Sequence, residues 1–229
     1  MASVMSRVFD CSVDTQLLEG MRRARTAIKQ GKLVVIPTDT VYGIAADAFT
    51  PKAVQALLDA KGRGRQAPPP VLIPNLATMT ALAEIVPPKI REVAEAFWPG
   101  GLTIILDAQP SLAWDLGDTA GTVAIRVPQH PLALELLQET GPLAVSSANL
   151  TGQPAAQTAK DANRQLGDSV EVYLDGGSSG STASTIIDAT GLARGTGGVR
   201  IVRDGAVSVA ALREILGDDI EPTTAGVEG

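Results

Sequence analysis

Lys61, Arg63 and Arg65 alternate with glycine in Lys61-Gly62-Arg63-Gly64-Arg65, and Pro68-Pro69-Pro70 follows within three residues. Long cations on a stretch stiffened by proline suit a localised anion, a phosphate or a carboxylate, which several N–H donors can grip at once. The chain carries a formal net charge of −6, so this cationic knot is not a by-product of composition. Taken alone, such a run is equally a solvated basic loop. A second feature favours chemistry: small polar residues gather at the ends of apolar runs. Pro37-Thr38-Asp39-Thr40 follows Ile36, Ser146-Ser147-Ala148-Asn149 follows Val145, Ser184-Thr185 opens Ile186-Ile187-Asp188, and Arg203 follows Ile201-Val202. Each alone is a turn or a helix cap. Together, hydroxyls, amides and cations at strand ends can line one ligand cleft.

Other chemistries are excluded by residue supply. His130 is the single histidine and Cys11 the single cysteine, so no multi-histidine metal site, cysteine-rich metal site or intramolecular disulfide can form. His130, between a strand-like and a helix-like run, is expected to cap or sit at the surface, and Cys11 to be a packed or idle thiol. No metal ligand set is predicted; a divalent ion would arrive with a phosphate substrate. There is no Walker A motif, and Gly62-Arg63-Gly64 lacks the third glycine of a dinucleotide fingerprint. A nucleotide would therefore be held by Lys and Arg side chains and hydroxyls. Net acidity and only 3% aromatic residues argue against a broad nucleic-acid surface. With no long apolar run, no membrane association and a cytoplasmic location are expected.

The elements that must position these residues read as an α/β mixture. Helices are predicted near 14–30, with a stripe of Leu17, Leu18, Met21, Ala24 and Ile28, and near 51–60, 76–85, 88–97, 131–139, 158–166 and 208–216. Asp14 is expected to cap the first helix and Gly31 to end it. Strands are predicted at 33–36, 41–46, 71–73, 102–106, 122–127, 143–145, 170–174, 184–188 and 199–203. Strands and helices alternate irregularly, which favours a twisted mixed parallel/antiparallel sheet flanked by helices, α+β in class. The expected organisation is a single domain over 1–217, with 218–229 a frayed C-terminal tail.

The motifs also occur in a telling order. Pro37-Thr38-Asp39-Thr40-Val41-Tyr42-Gly43, Lys61-x-Arg63, Pro99-Gly100-Gly101-Leu102-Thr103 and Val123-Ala124-Ile125-Arg126-Val127-Pro128 are followed by Ser147-Ala148-Asn149-x-x-Gly152. Asp175-Gly176-Gly177, Ser184-Thr185-Ile186-Ile187-Asp188 and Ile201-Val202-Arg203-x-Gly205 complete the set. Over roughly residues 14–206 the chain resembles the YrdC-like L-threonylcarbamoyladenylate synthase family, in its short, single-domain form. Two departures stand out: Leu72 occupies a position where many members carry a histidine, and the triple proline is unusual.

The resemblance implies a nucleotidyltransferase of tRNA processing. Such enzymes form threonylcarbamoyl-AMP and pyrophosphate from L-threonine, bicarbonate and ATP, with Mg²⁺ accompanying the ATP. Another enzyme system then builds threonylcarbamoyladenosine in tRNA, so partners are the downstream transfer proteins, with weak or no direct tRNA binding. By this resemblance Lys61, Arg63, Ser147 and Asn149 form the catalytic set and bind ATP together with Thr122 and Arg203. Thr40, Arg126 and Ser184 would bind threonine, with Arg126 on its carboxylate. Two other readings stand beside it: a non-catalytic RNA-binding module using the same basic concavity, and carbamoyl transfer to another acceptor.

Overall fold

A computed structural model describes residues 7–222. The elements run β1 (Val8–Asp10), α1 (Asp14–Lys29), β2 (Val34–Ile36), β3 (Gly43–Asp47), α2 (Pro51–Lys61) and β4 (Val71–Leu72). Then come α3 (Leu76–Leu82), α4 (Pro88–Phe97), β5 (Leu102–Asp107), β6 (Thr122–Arg126), α5 (Pro131–Thr140) and β7 (Leu143–Ser147). Last are α6 (Ala159–Leu166), β8 (Val172–Asp175), β9 (Thr185–Asp188), α7 (Thr190–Arg194), β10 (Arg200–Arg203) and α8 (Val209–Leu216). All ten strands form one sheet in the order β1-β8-β2-β3-β7-β4-β6-β5-β9-β10. The β1–β8, β2–β8, β4–β6 and β5–β9 pairs are parallel and the others antiparallel, so the mixed sheet flanked by helices is what the sequence reading anticipates.

The β1-β8-β2-β3-β7 half is covered on both faces. Leu174, Val34, Ile36 and Leu143 pack with Met21, Ala24, Ile28, Leu136 and Leu137 of α1 and α5. On the other face Val35, Ile44 and Tyr173 pack with Leu57 of α2 and Ala162 and Leu166 of α6. Strands buried on both faces read as unbroken apolar runs, which is why Val34-Val35-Ile36 is legible as a strand. The stripe predicted for α1 needs one correction. Leu18 is 71% exposed, and Gly20 and Ala27 are buried in its stead. A Cβ on Gly20 would lie 2.8 Å from the Phe9 Cβ, so the bare glycine lets α1 settle close onto β1 and β8. Val13, not Asp14, is the N-cap residue, and no side chain caps this helix; Asp14 sits in the first turn, where its charge suits the helix dipole.

The other half, β4-β6-β5-β9, is covered on one face only. Val71, Ile104, Leu106, Val123, Ile125 and Ile187 point into a core with Met79, Ile90, Val93 and Leu212 of α3, α4 and α8. By strand alternation, Thr103, Ile105, Thr122, Ala124, Arg126 and Ile186 face the opposite way and are left to line a cavity. Two short elements, β1 and α7, are absent from the sequence reading; at three and five residues they carry too little periodicity to register. The frayed tail from 218 also needs revision. Val199 N–H donates to Asp219 O at 2.6 Å, Glu221 N–H donates to Val199 O at 2.9 Å, and Ile220 is buried. Residues 218–222 are thus tied to the body of the domain, and 223–229 lie outside the described residues. No helix among the described residues is long and apolar enough to cross a membrane.

Candidate active site

The open sheet face becomes a cavity of about 350 Å³, a size ordinary for a small-molecule site. Thr40, Arg63, Thr122, Arg126, Ser147, Ser184 and Arg203 all line it, although they come from stretches spread over more than half the chain. Pro68, Pro69, Pro70, Leu116 and Thr119 also line it, and Leu72 contributes an apolar patch. Lys61 and Asn149 are not on the lining. Lys61 is only 3% exposed, and its ammonium donates to Ser147 O, to Asn149 O at 2.7 Å and to Asn149 Oδ1 at 3.5 Å. Asn149 Nδ2 donates to Leu150 O and Gln153 O. These two residues brace the turn that carries Ser147.

Sequence places Lys61, Arg63 and Arg65 in one knot, and the structure separates them. Gly62 adopts the left-handed conformation at φ 62° that ends α2, and this turns the two following arginines away from the lysine. The Arg63 side chain enters the cavity, where its one hydrogen bond among the described residues is from Nη1 to Ser146 Oγ at 3.1 Å. Arg65 leaves it: Nη2 donates to Asp115 Oδ1 at 2.7 Å, Nε lies 3.6 Å from Asp118, and Arg65 O accepts from Asp118 N–H. Arg65 therefore ties the proline loop to the loop before β6. Phe49 stacked on Trp114, with ring centroids 5.5 Å apart, anchors the same loop from below.

Arg126 is the most deeply buried of the arginines that line the cavity, 6% exposed. Its Nε donates to Gly100 O at 2.9 Å, Nη1 to Thr40 Oγ1 at 2.9 Å, and Nη2 to Asp39 Oδ1 at 2.6 Å. Asp39 Oδ1 also accepts from Gln129 N–H, so the carboxylate is itself fixed. Arg203 sends Nε and Nη2 to Ser184 O and Nη2 to Ser184 Oγ at 3.0 Å, and Ser184 Oγ lies 2.9 Å from Thr103 Oγ1. Gly205 makes this packing possible: a Cβ there would lie 2.4 Å from Ala183 O. No aspartate or glutamate lines the cavity.

The electrostatics follow. Burial depresses the Arg126 pKa, with Asp39 opposing and Arg203 adding to the depression. Burial and then Arg63 depress the pKa of Arg203. Lys61 is pulled down to about 8, by burial first and Arg63 second. Cations that depress one another around a single cavity, with Asp39 the one nearby counter-charge, form a seat for an anion. Elsewhere the chemistry is quiet. Burial lifts the Cys11 thiol to about 11. His130 heads α5 without a side-chain capping bond, its Nδ1 is buried without a partner, and burial lowers its pKa. No group of three His, Cys, Asp or Glu residues fit for a metal occurs among the described residues.

Thr38, Asp39, Thr103 and Ser146 belong to this site, and the sequence reading gives none of them an individual role. Each lies inside or beside a quoted motif. Alternation along β5 puts Thr103 on the face of Ile105, which would have been enough to choose it.

Residues 26–205 match the family model Sua5_yciO_yrdC, described as telomere recombination. A Mycobacterium tuberculosis protein provisionally named threonylcarbamoyl-AMP synthase is 51% identical over 216 residues, 94% of this chain and 97% of its own. The threonylcarbamoyl-AMP synthase of Bacillus subtilis is 38% identical over 169 residues, 72% of this chain but 49% of its own length. Among solved structures, Pyrococcus abyssi Sua5 complexed with L-threonine superposes with a TM-score of 0.84 at 29% identity, covering 95% of this chain and 63% of that one. This chain thus spans about half to two thirds of those two longer proteins and nearly all of the mycobacterial one. On the ordered motifs, the sheet and the matched region, the chain belongs to the Sua5/YciO/YrdC family.

Proposed function

We propose that this protein is an L-threonylcarbamoyladenylate synthase. The observation that carries the reading is the convergence of Arg63, Arg126 and Arg203 on one cavity that holds no acidic side chain. Threonine's amine nitrogen forms a C–N bond to the carbon of bicarbonate, with loss of water, giving a carbamate. A carbamate oxygen attacks the α-phosphorus of ATP, and the bridging P–O bond breaks to release pyrophosphate. Two anions must meet in this step. Fixed cations that hold them in line and match the charge on the transferring group supply the catalysis.

In this reading Arg63 and Arg203 grip the triphosphate, with Ser147 and Thr122 completing the nucleotide site. Lys61 and Asn149 hold the Ser147 turn in place, and the lysine adds its charge from behind. Arg126 takes the threonine carboxylate on its remaining N–H donors, while Thr40 and Ser184 line the amino-acid end. Mg²⁺ enters as the counter-ion of the triphosphate, carried by phosphate oxygens. The product is a mixed anhydride and reacts readily with nucleophiles, so a transfer system acting on tRNA adenosine consumes it, in the cytoplasm where ATP and tRNA are abundant.

Pyrophosphate release from ATP tests the proposal. The expected result is release that requires both L-threonine and bicarbonate, with L-serine and L-valine far poorer. Release that is indifferent to threonine or to bicarbonate overturns it.

A further inference from the structure

The hydroxyls at the amino-acid end are wired in one direction. Arg126 Nη1 can only donate, and it donates to Thr40 Oγ1 at 2.9 Å. The main-chain carbonyl of Val41 can only accept, and it takes the Thr38 hydroxyl proton at 2.6 Å. Between them Thr38 Oγ1 and Thr40 Oγ1 lie 3.1 Å apart. Thr38 has already given its single proton to Val41, so the proton in the bond between the two threonines must belong to Thr40. Thr38 Oγ1 also accepts from Thr40 N–H at 3.2 Å, which fills both of its lone pairs. Thr40 Oγ1 is left with no free proton and one free lone pair, on a side chain that lines the cavity.

From this chain of bonds we infer that Thr38, whose hydroxyl is fully engaged within the protein, is a positioning residue that makes Thr40 a pure acceptor, and that Thr40 reads the α-amino group of the substrate. The inference rests on the synthase reading and sharpens it. A lone pair repels a carboxylate and accepts from an N–H or O–H. Three of the five N–H donors of Arg126 are engaged by Gly100, Thr40 and Asp39, so two remain to take a carboxylate. The amino group of an α-amino acid is attached one carbon from that carboxylate. A carboxylate on Arg126 therefore brings the amine, rather than the more distant side-chain hydroxyl, against the Thr40 oxygen. An N–H held there orients the nitrogen whose own lone pair must reach the bicarbonate carbon.

Calorimetric binding of three ligands tests this: L-threonine, (R)-3-hydroxybutanoate, which lacks the amine, and L-2-aminobutanoate, which lacks the hydroxyl. The wild-type protein should prefer threonine over the deaminated acid by about tenfold or more, as expected for a hydrogen bond from a charged donor. Thr38→Val frees the Thr40 proton, so that preference should shrink at least several-fold, while the preference over 2-aminobutanoate stays unchanged. Thr38→Ser, which restores the hydroxyl, should restore the preference. A merely structural role for Thr38 would weaken all three ligands by one common factor, and that result overturns the inference, as does a shift confined to 2-aminobutanoate. Should Thr38→Val not fold, Thr40→Val gives the same reading: loss of the amine preference supports the wire, and an intact preference overturns it. A wild-type protein that binds no threonine at all sinks the synthase reading itself, which separates the two failures.

Discussion

Three cations within five residues end up with three different tasks, and their partners say which. Arg63 is held by one serine hydroxyl and has donors to spare, so it is built to meet a ligand. Replacing it with alanine should lower the synthase rate by about two to three orders of magnitude, as when a donor to a developing anion is removed, while melting temperature changes little. Lys61 has no such freedom. Its removal takes the ammonium donor from the carbonyls of Ser147 and Asn149, and Lys61→Met should cost about 1–3 kcal/mol in chemical denaturation. The lysine also has a pH signature. Its folded-state pKa of about 8 lies below the ordinary 10.5, so between those values the unfolded chain binds more protons. Stability of the wild type should therefore rise from pH 8 toward pH 10.5 relative to Lys61→Met, while activity falls as the ammonium that supports the Ser147 turn is lost. Melting curves of both proteins across this range, beside the rate profile of the wild type, check both signs.

The elements around the cavity owe their placement to close approaches that a sequence pattern does not announce. Gly205 lies 2.6 Å, measured from an ideal Cβ, from the backbone at Ser184 and Thr185. Gly205→Ala should push the turn after β10 off Ser184, destabilise by about 1–3 kcal/mol as overpacking does, and weaken threonine binding together with stability. Calorimetry on the folded variant reads both. Arg65→Ala should behave differently. Its pairs with Asp115 and Asp118 are exposed and screened by solvent, so the melting temperature should hold. Much of this level was legible. The apolar runs gave most of the strands and helices to within a few residues, and strand ends rich in hydroxyls located the cavity wall. What stayed hidden has a physical reason in each case. Whether Leu18 or Ala27 joins the buried face of α1 depends on how close Gly20 lets the helix approach, and that is a tertiary fact. Lys61 and Arg63 look alike in sequence, and only the left-handed Gly62 between them sends one into the protein and the other into the cavity. Asp39 reads as a turn residue until Arg126, 87 positions away, is seen to bind it.

At the scale of the molecule, an acidic protein keeps its functional positive charge inside a concavity. The chain as a whole carries a net −6; of the basic residues at the site, Lys61 and Arg126 are buried, Arg63 is half-buried, Arg203 is exposed but bonded back onto Ser184, and Arg65 is paired with a carboxylate. A stripe of exposed cations with stacking aromatics, which an RNA-binding module would use, is not how these residues are arranged. Titration with tRNA at low salt should accordingly be flat, and tight binding with a steep salt slope would argue for the module instead. The open face of β4-β6-β5-β9 gives the fold its function: one half of the sheet is closed by helices on both sides and provides rigidity, and the other half leaves one face free to bring distant motifs around an anion. The central claim is that this face joins a carbamate to the α-phosphate of ATP. It is tested most directly by supplying ¹³C-labelled bicarbonate with L-threonine and ATP and weighing the product by mass spectrometry. The account predicts a threonine- and AMP-containing product that carries the label, one per pyrophosphate released; an unlabelled threonyl adenylate, or pyrophosphate with no such product, would contradict it.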